Sequence, residues 1–181
     1  MGHVSAPPLS ASHRADDTIA FRSTQSIVLP DVPDAFDDWG TAHRLVDLLR
    51  AYFSVAESSV GRLVRTRWRG TQPELALFWP SVPFITMDEP AIELSADRRA
   101  ISVGITGGLL VMPSSQSRLV IELIRGAFGV HARVDLVGYQ PRGGRYAIVR
   151  WTYGLTQARV HTGVGRRYLR QLCHEWPPSS R

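Results

Sequence analysis

Residues 118–135 read RLVIELIRGAFGVHARVD. Leu119, Ile121 and Leu123 alternate with their neighbours, the glycines at 126 and 129 bracket a turn, and Ala132 and Val134 resume the alternation. Folding the two runs together about that turn sets Ile121 opposite Val134, so the apolar sets coincide. The same register sets Glu122 opposite Arg133 on the reverse face, matching opposite charges across the strands. Two independent patterns select one antiparallel pairing.

The period-two pattern extends from Ala91 to Thr152. Ile92 and Leu94, then Ile101, Val103, Ile105, Leu109 and Val111, then Leu136, then Ala147, Val149 and Trp151 continue the apolar set. Turns at Ala96 to Arg99 and Pro141 to Gly144 would place Leu94 opposite Ile101, Val134 opposite Trp151 and Asp135 opposite Arg150. The expectation is a meander of about five strands with one apolar face, the face of His131, Arg133 and Asp135 being turned to water.

Beyond the meander, Leu155 to Cys173 predicts a long helix. At about 100° per residue, Ala158, His161, Val164, Gly165, Tyr168, Leu169 and Leu172 share one side, opposite Arg159, Arg166, Arg167 and Arg170. The apolar face of the sheet is the surface that this helix requires. Before the meander, residues 1–17 lack periodicity and are expected to be a disordered tail, as are residues 177–181. Ile19 to Leu29 predicts a first strand. Asp34 is placed to cap a helix carrying Phe36, Trp39, Ala42, Val46, Leu49 and Phe53, and Ser54 with Glu57 suggests a second, shorter helix through Val64 and Trp68. Leu75 to Trp79 reads as a strand, and the proline-punctuated stretch after it as a loop or sheet edge. The result is one α+β domain over residues 18–176, an antiparallel meander curled against a long C-terminal helix, with one or two helices after the first strand.

This element order, from about Thr18 to Cys173, resembles the helix-grip arrangement of the START-like or SRPBCC superfamily, which includes polyketide cyclases, aromatase-like proteins and lipid-transfer domains. The resemblance implies a cavity between sheet and last helix that holds an apolar or amphipathic ligand.

Composition narrows the chemistry. All 21 basic residues are Arg, and neither Lys nor Asn occurs, as expected of a GC-rich bacterial genome. Schiff-base chemistry and a P-loop lysine are thereby excluded. GxSxG, HExxH and GxGxxG are also absent, and no cofactor is expected. The single Cys173 cannot form an internal disulfide, and no secretory signal or membrane span is read, so the expected location is cytoplasmic. Residues 1–97 hold eight Arg against thirteen acids and residues 98–181 hold thirteen Arg against three. The arginine row of the last helix is more simply a solvated face than a nucleic-acid surface. His43 and Asp47 have i, i+4 spacing but no further ligand at recognisable spacing, so no metal is expected.

His161 is the candidate catalytic or orienting group, since burial on an apolar helix face keeps an imidazole neutral; the alternative is a core histidine bonded to a backbone carbonyl or to Tyr168. Gly165 either leaves room for a ligand or lets a strand approach. Trp68, Trp79, Trp151, Tyr153 and Tyr168, with Phe84, are candidate pocket walls, although aromatics also simply fill cores. Three functions follow. The first is a module binding a small apolar or amphipathic molecule. The second is a cofactor-independent cyclase, dehydratase or isomerase using His161 as acid or base, and the third is a binder of nucleic acid or an acidic partner through the Arg face. No oligomeric state is read from the sequence.

Overall fold

The computed structural model describes residues 10–13, 19–30, 32, 34–60, 63–77, 83–109, 111, 116–139 and 147–177, with the backbone alone for 10–13, 19–21 and 147–159. Its centre is the expected hairpin. Strand β8 (Arg118–Gly126) pairs with β9 (Gly129–Tyr139), with Ile121 opposite Val134, Glu122 opposite Arg133 and Gly126 opposite Gly129. Gly129 has φ 137°, and a Cβ there would overlap the Leu29 carbonyl oxygen, so the turn requires glycine. Leu119, Ile121, Leu123, Ala132, Val134 and Leu136 are all buried.

On one side of this hairpin lies β7 (Arg98–Gly107), pairing Val103 with Leu119. On the other lies β2 (Ile19–Leu29), pairing Gln25 with Val134 and Thr24 with Asp135. Beyond β2 comes β1 (Ser10–His13), four residues of strand inside the segment expected to be a tail. The far half of the sheet continues from β7 through β5 (Pro83–Met87) and β4 (Gln72–Leu77) to β3 (Val64–Arg69), while β6 (Ala91–Leu94) pairs with the other end of β7. All pairings are antiparallel. Helices α1 (Ala35–Trp39), α2 (Ala42–Ser59) and α3 (Ala147–Glu175) complete an α+β, helix-grip arrangement. Leu45, Leu49 and Phe53 of α2 join Val164, Tyr168, Leu169 and Leu172 of α3 in one core with the inward side chains of the sheet. Past the end of α3, the Trp176 indole donates to the Pro30 carbonyl at 3.0 Å and packs on Trp39 at 5.4 Å.

Several expectations are corrected. Ala147 to Trp151 belongs to α3, not to a fifth meander strand, so β9 takes β2 as its second partner and the pairings of Val134 with Trp151 and Asp135 with Arg150 do not form. Three alternating positions are too few to separate period two from a helix, and Ala147, Trp151 and Leu155 also recur at a spacing of four. The proposed turn at Pro141 to Gly144 lies outside the described residues. Ser54 and Glu57 do not start a helix, because α2 runs through them to Ser59. Val64 to Trp68 is strand: Val64, Thr66 and Trp68 alternate with Arg65, Arg67 and Arg69, and the Thr66 N–H donates to Glu57 Oε1 at 2.6 Å.

The helix expected from Asp34 is two helices. Asp34 adopts φ 65° and makes no side-chain cap, whereas Thr41 Oγ1 accepts from the Arg44 N–H and restarts the chain as α2. Pro83 opens β5, which is an interior strand with register irregularities against both neighbours; a proline at a strand's first residue removes the least pairing. The strand expected from Leu75 to Trp79 is described as far as Leu77, and Trp79 lies outside the described residues. In the first hairpin, Ile92 faces Ile101 and Leu94 faces Arg99, two residues from the expected register. An even slip keeps every side chain on its face, yet Ile92, Leu94 and Leu109 are exposed.

The face assigned to water is not simply wet. Glu122 and Asp135 are only 5% and 6% exposed. Arg98 Nε donates to Glu122 at 2.8 Å, Arg133 bridges Glu122 and Asp135, and Arg98 also reaches Glu93. Buried carboxylates persist where such partners meet them.

Gly165 lies where α3 meets the Gln25 side chain of β2. A Cβ there would overlap Oε1 of the buried Gln25, whose Nε2 donates to Ser23 at 2.6 Å. Because the atoms in the way are the end of one flexible side chain, Gly165→Ala is expected to cost no more than about 1 kcal/mol, displacement of the Gln25 amide from Ser23 being offset by the better helix propensity of alanine. Adding Gln25→Ala should recover most of that loss in a chemical-denaturation double-mutant cycle. Additive losses would show that Gln25 is not the obstacle.

Candidate functional site

A cavity of about 320 Å³ lies between the two long helices and the sheet. Its helical walls follow from spacing. On α2, Tyr52, Phe53, Ala56 and Glu57 repeat at intervals of four and share one face, and Val60 follows just past the helix end. On α3, Val160, His161 and Val164 do the same. The sheet contributes inward-pointing residues two apart: Leu75 and Leu77 of β4, Ile85 and Met87 of β5, and then Ile105, Leu119, Leu136 and Tyr139 from β7 to β9. Leu63 and Val160 line the cavity and yet are 69% and 40% exposed, so the wall reaches the surface beside the α2–β3 connection.

Nearly all of this wall is hydrocarbon. The polar side chains on it are Glu57, His161, Tyr52 and Tyr139. Glu57 is half-buried and anchored through Oε1 to the β3 backbone. The His161 ring meets the edge of the Tyr139 ring at 5.6 Å and 66°. Its apolar surroundings push its pKa down to about 4, because burial disfavours the imidazolium. Burial also pushes the Tyr52 hydroxyl well above the ordinary tyrosine range, so it is a neutral donor at any physiological pH. The polar side chains of the wall are therefore a neutral imidazole, two tyrosines and one carboxylate.

The residues singled out in the sequence are placed unequally. His161 lines the cavity. Tyr168 lies behind the wall, edge-on to Tyr52 at 5.5 Å; among the described residues its buried hydroxyl has no hydrogen-bond partner, and burial, with Glu175 and Tyr52 nearby, pushes its pKa up. Gly165 faces Gln25 rather than the cavity. Trp68 sits edge-on behind Phe53 at 6.1 Å, with the Arg50 guanidinium 5.4 Å above its ring. Trp79 lies outside the described residues, as do the side chains of Trp151 and Tyr153, although both belong to α3.

Sequence reasoning missed Tyr52, Glu57, Met87 and Tyr139. Extending the helical spacing from Leu49 and Phe53 by one more turn would have found Ala56 and Glu57. Away from the cavity, His43 Nε2 and Asp47 Oδ2 lie 3.4 Å apart on the surface of α2, and the described residues contain no group of three or more metal-ligating side chains. Arg166, Arg167 and Arg170 are exposed as expected. No helix among the described residues is long and apolar enough to cross a membrane.

No protein-family model matches the chain, and no curated protein matches it in sequence. Among solved structures, the crystal structure of CalU16 from Micromonospora echinospora is similar to it at 9% identity and a TM-score of 0.33, with 96% of this chain and 95% of that one covered.

The lowered pKa of His161 has a measurable sign. The unfolded chain, with a histidine pKa of about 6.5, takes up this proton before the folded chain does. The stability contributed by neutral His161 is therefore complete above about pH 6.5 and is lost as the pH falls toward 4. An NMR titration should place His161 below about pH 5, and His161→Phe should flatten the fall in melting temperature across that window. Titration near 6.5 would show the ring to be hydrated.

Proposed function

We propose that this protein binds a small apolar or amphipathic molecule in the cavity between the sheet and helices α2 and α3. The observation that carries the reading is a space of about 320 Å³ walled almost wholly by hydrocarbon inside an otherwise packed core. Protein interiors are close-packed, and voids much larger than a water molecule are few and costly. Ligand pockets, by contrast, start at about 300 Å³, are mostly apolar and carry a few convergent polar groups. The four polar side chains fit that description.

A second reading, a cofactor-independent cyclase, dehydratase or isomerase, draws on His161 facing into the cavity beside Tyr139. A neutral imidazole can act as a general base. It ranks second because among the described residues no carboxylate pairs with His161 to orient it, as acid–base imidazoles usually require. The exposed Arg166, Arg167 and Arg170 supply cations for the third reading, an acidic partner.

Prodan, a neutral naphthalene dye whose emission shifts to the blue on leaving water, tests the first reading. The wild type should bind one prodan per chain with a Kd on the order of micromolar. Ala56→Trp, which projects an indole into the cavity, should abolish the blue shift while the chain still melts cooperatively. A wild type that does not bind, or an Ala56→Trp protein that binds equally well, would contradict the reading. Native mass spectrometry of protein purified from its own host would then identify a copurified occupant.

A further inference from the structure

We propose that the cavity selects its ligand by charge, accepting neutral or cationic amphiphiles whose polar end donates a hydrogen bond and rejecting carboxylic acids on the same skeleton. This rests on the ligand-binding reading and adds the class of ligand to it.

The inference comes from which charges the wall contains. None of the arginines whose side chains are described lines the cavity. Among the described residues Glu57 on α2 is the one ionisable carboxyl on the wall, and His161 on α3 is the other titratable group there besides the tyrosines. Apolar surroundings hold His161 in its neutral form, so among the described residues no cation stands on the wall to pair with an entering anion. A carboxylate ligand would shed its water, find no positive partner and meet the like charge of Glu57, each of which disfavours it.

A donor meets the opposite situation. Glu57 Oε1 accepts the Thr66 N–H at 2.6 Å, which ties the carboxylate between α2 and β3. A carboxylate has about four lone-pair sites, so the group can accept from a ligand hydroxyl or ammonium while keeping that bond. Hydrogen bonds to an ionised acceptor are about twice as strong as neutral ones. The ligand's hydrocarbon then lies against the apolar walls, with its donor at the Glu57 end.

Displacement of prodan by three naphthalenes tests this directly: 2-(2-naphthyl)ethylamine, 2-(2-naphthyl)ethanol and 2-naphthylacetate, at neutral pH and low salt. The amine and the alcohol should compete, and the acid should be at least about tenfold weaker than the alcohol. Glu57→Gln retains an acceptor for Thr66 and removes the charge; it should bring the acid within about threefold of the alcohol and cancel any advantage of the amine. An acid that binds wild-type protein as well as the alcohol does would overturn the charge selection and leave the cavity's binding role standing. Unchanged discrimination in a folded Glu57→Gln protein would overturn the assignment to Glu57. Failure of prodan and of all three naphthalenes to bind would remove the binding reading and this inference together. The wild-type comparison decides the point even if the variant does not fold.

Discussion

The structure turns on how closely α3 can approach the sheet. At Gly165 the helix lies against the Gln25 side chain of β2, near one edge of a nine-stranded sheet. With α3 held there and α2 packed against it, neither helix fills the space above the inward side chains of β4, β5 and β7 to β9. Two helices each about 10 Å across cannot cover so wide an apolar surface, and the shortfall is the cavity. The same glycine that lowers helix propensity lies at the contact of α3 with β2, away from the empty volume.

Legibility in the sequence depended on how many independent constraints met at a residue. The β8–β9 hairpin was readable because an apolar pattern, a charge pair and two bracketing glycines all required one register. Ala147 to Trp151 carried one constraint only, a brief alternation, and its neighbours Leu155 and Ala158 already had helical spacing. Val64 to Trp68 was misread because Val64 and Trp68 are four apart, a helical spacing, which outweighed the alternation of Arg65, Arg67 and Arg69 that face outward on this edge strand.

The site was legible where one helix alone defined it. A wheel drawn through α3 is sufficient to turn His161 inward. Tyr139, Met87 and Leu119 reach the same space from separate strands, and only the completed sheet order brings them together. Aromatic size signals burial without saying which side of a wall a ring occupies, and so Trp68 and Tyr168 prove to be backing rather than lining. Arginine, the sole basic residue apart from histidine, also does structural duty: the forked guanidiniums of Arg98 and Arg133 hold Glu122 and Asp135 on the far face of the sheet.

A ligand cavity requires that the space beside Met87 admit a guest. The chain has three methionines, and Met87 lines the cavity while being only 7% exposed. With 13C-methyl methionine labelling and Met87 assigned by substitution, its methyl resonance should move progressively and saturate as prodan is added, following the ring current of the bound naphthalene. A Met87 resonance that stays fixed while prodan fluorescence saturates would place the dye elsewhere and contradict a ligand cavity between α2, α3 and the sheet.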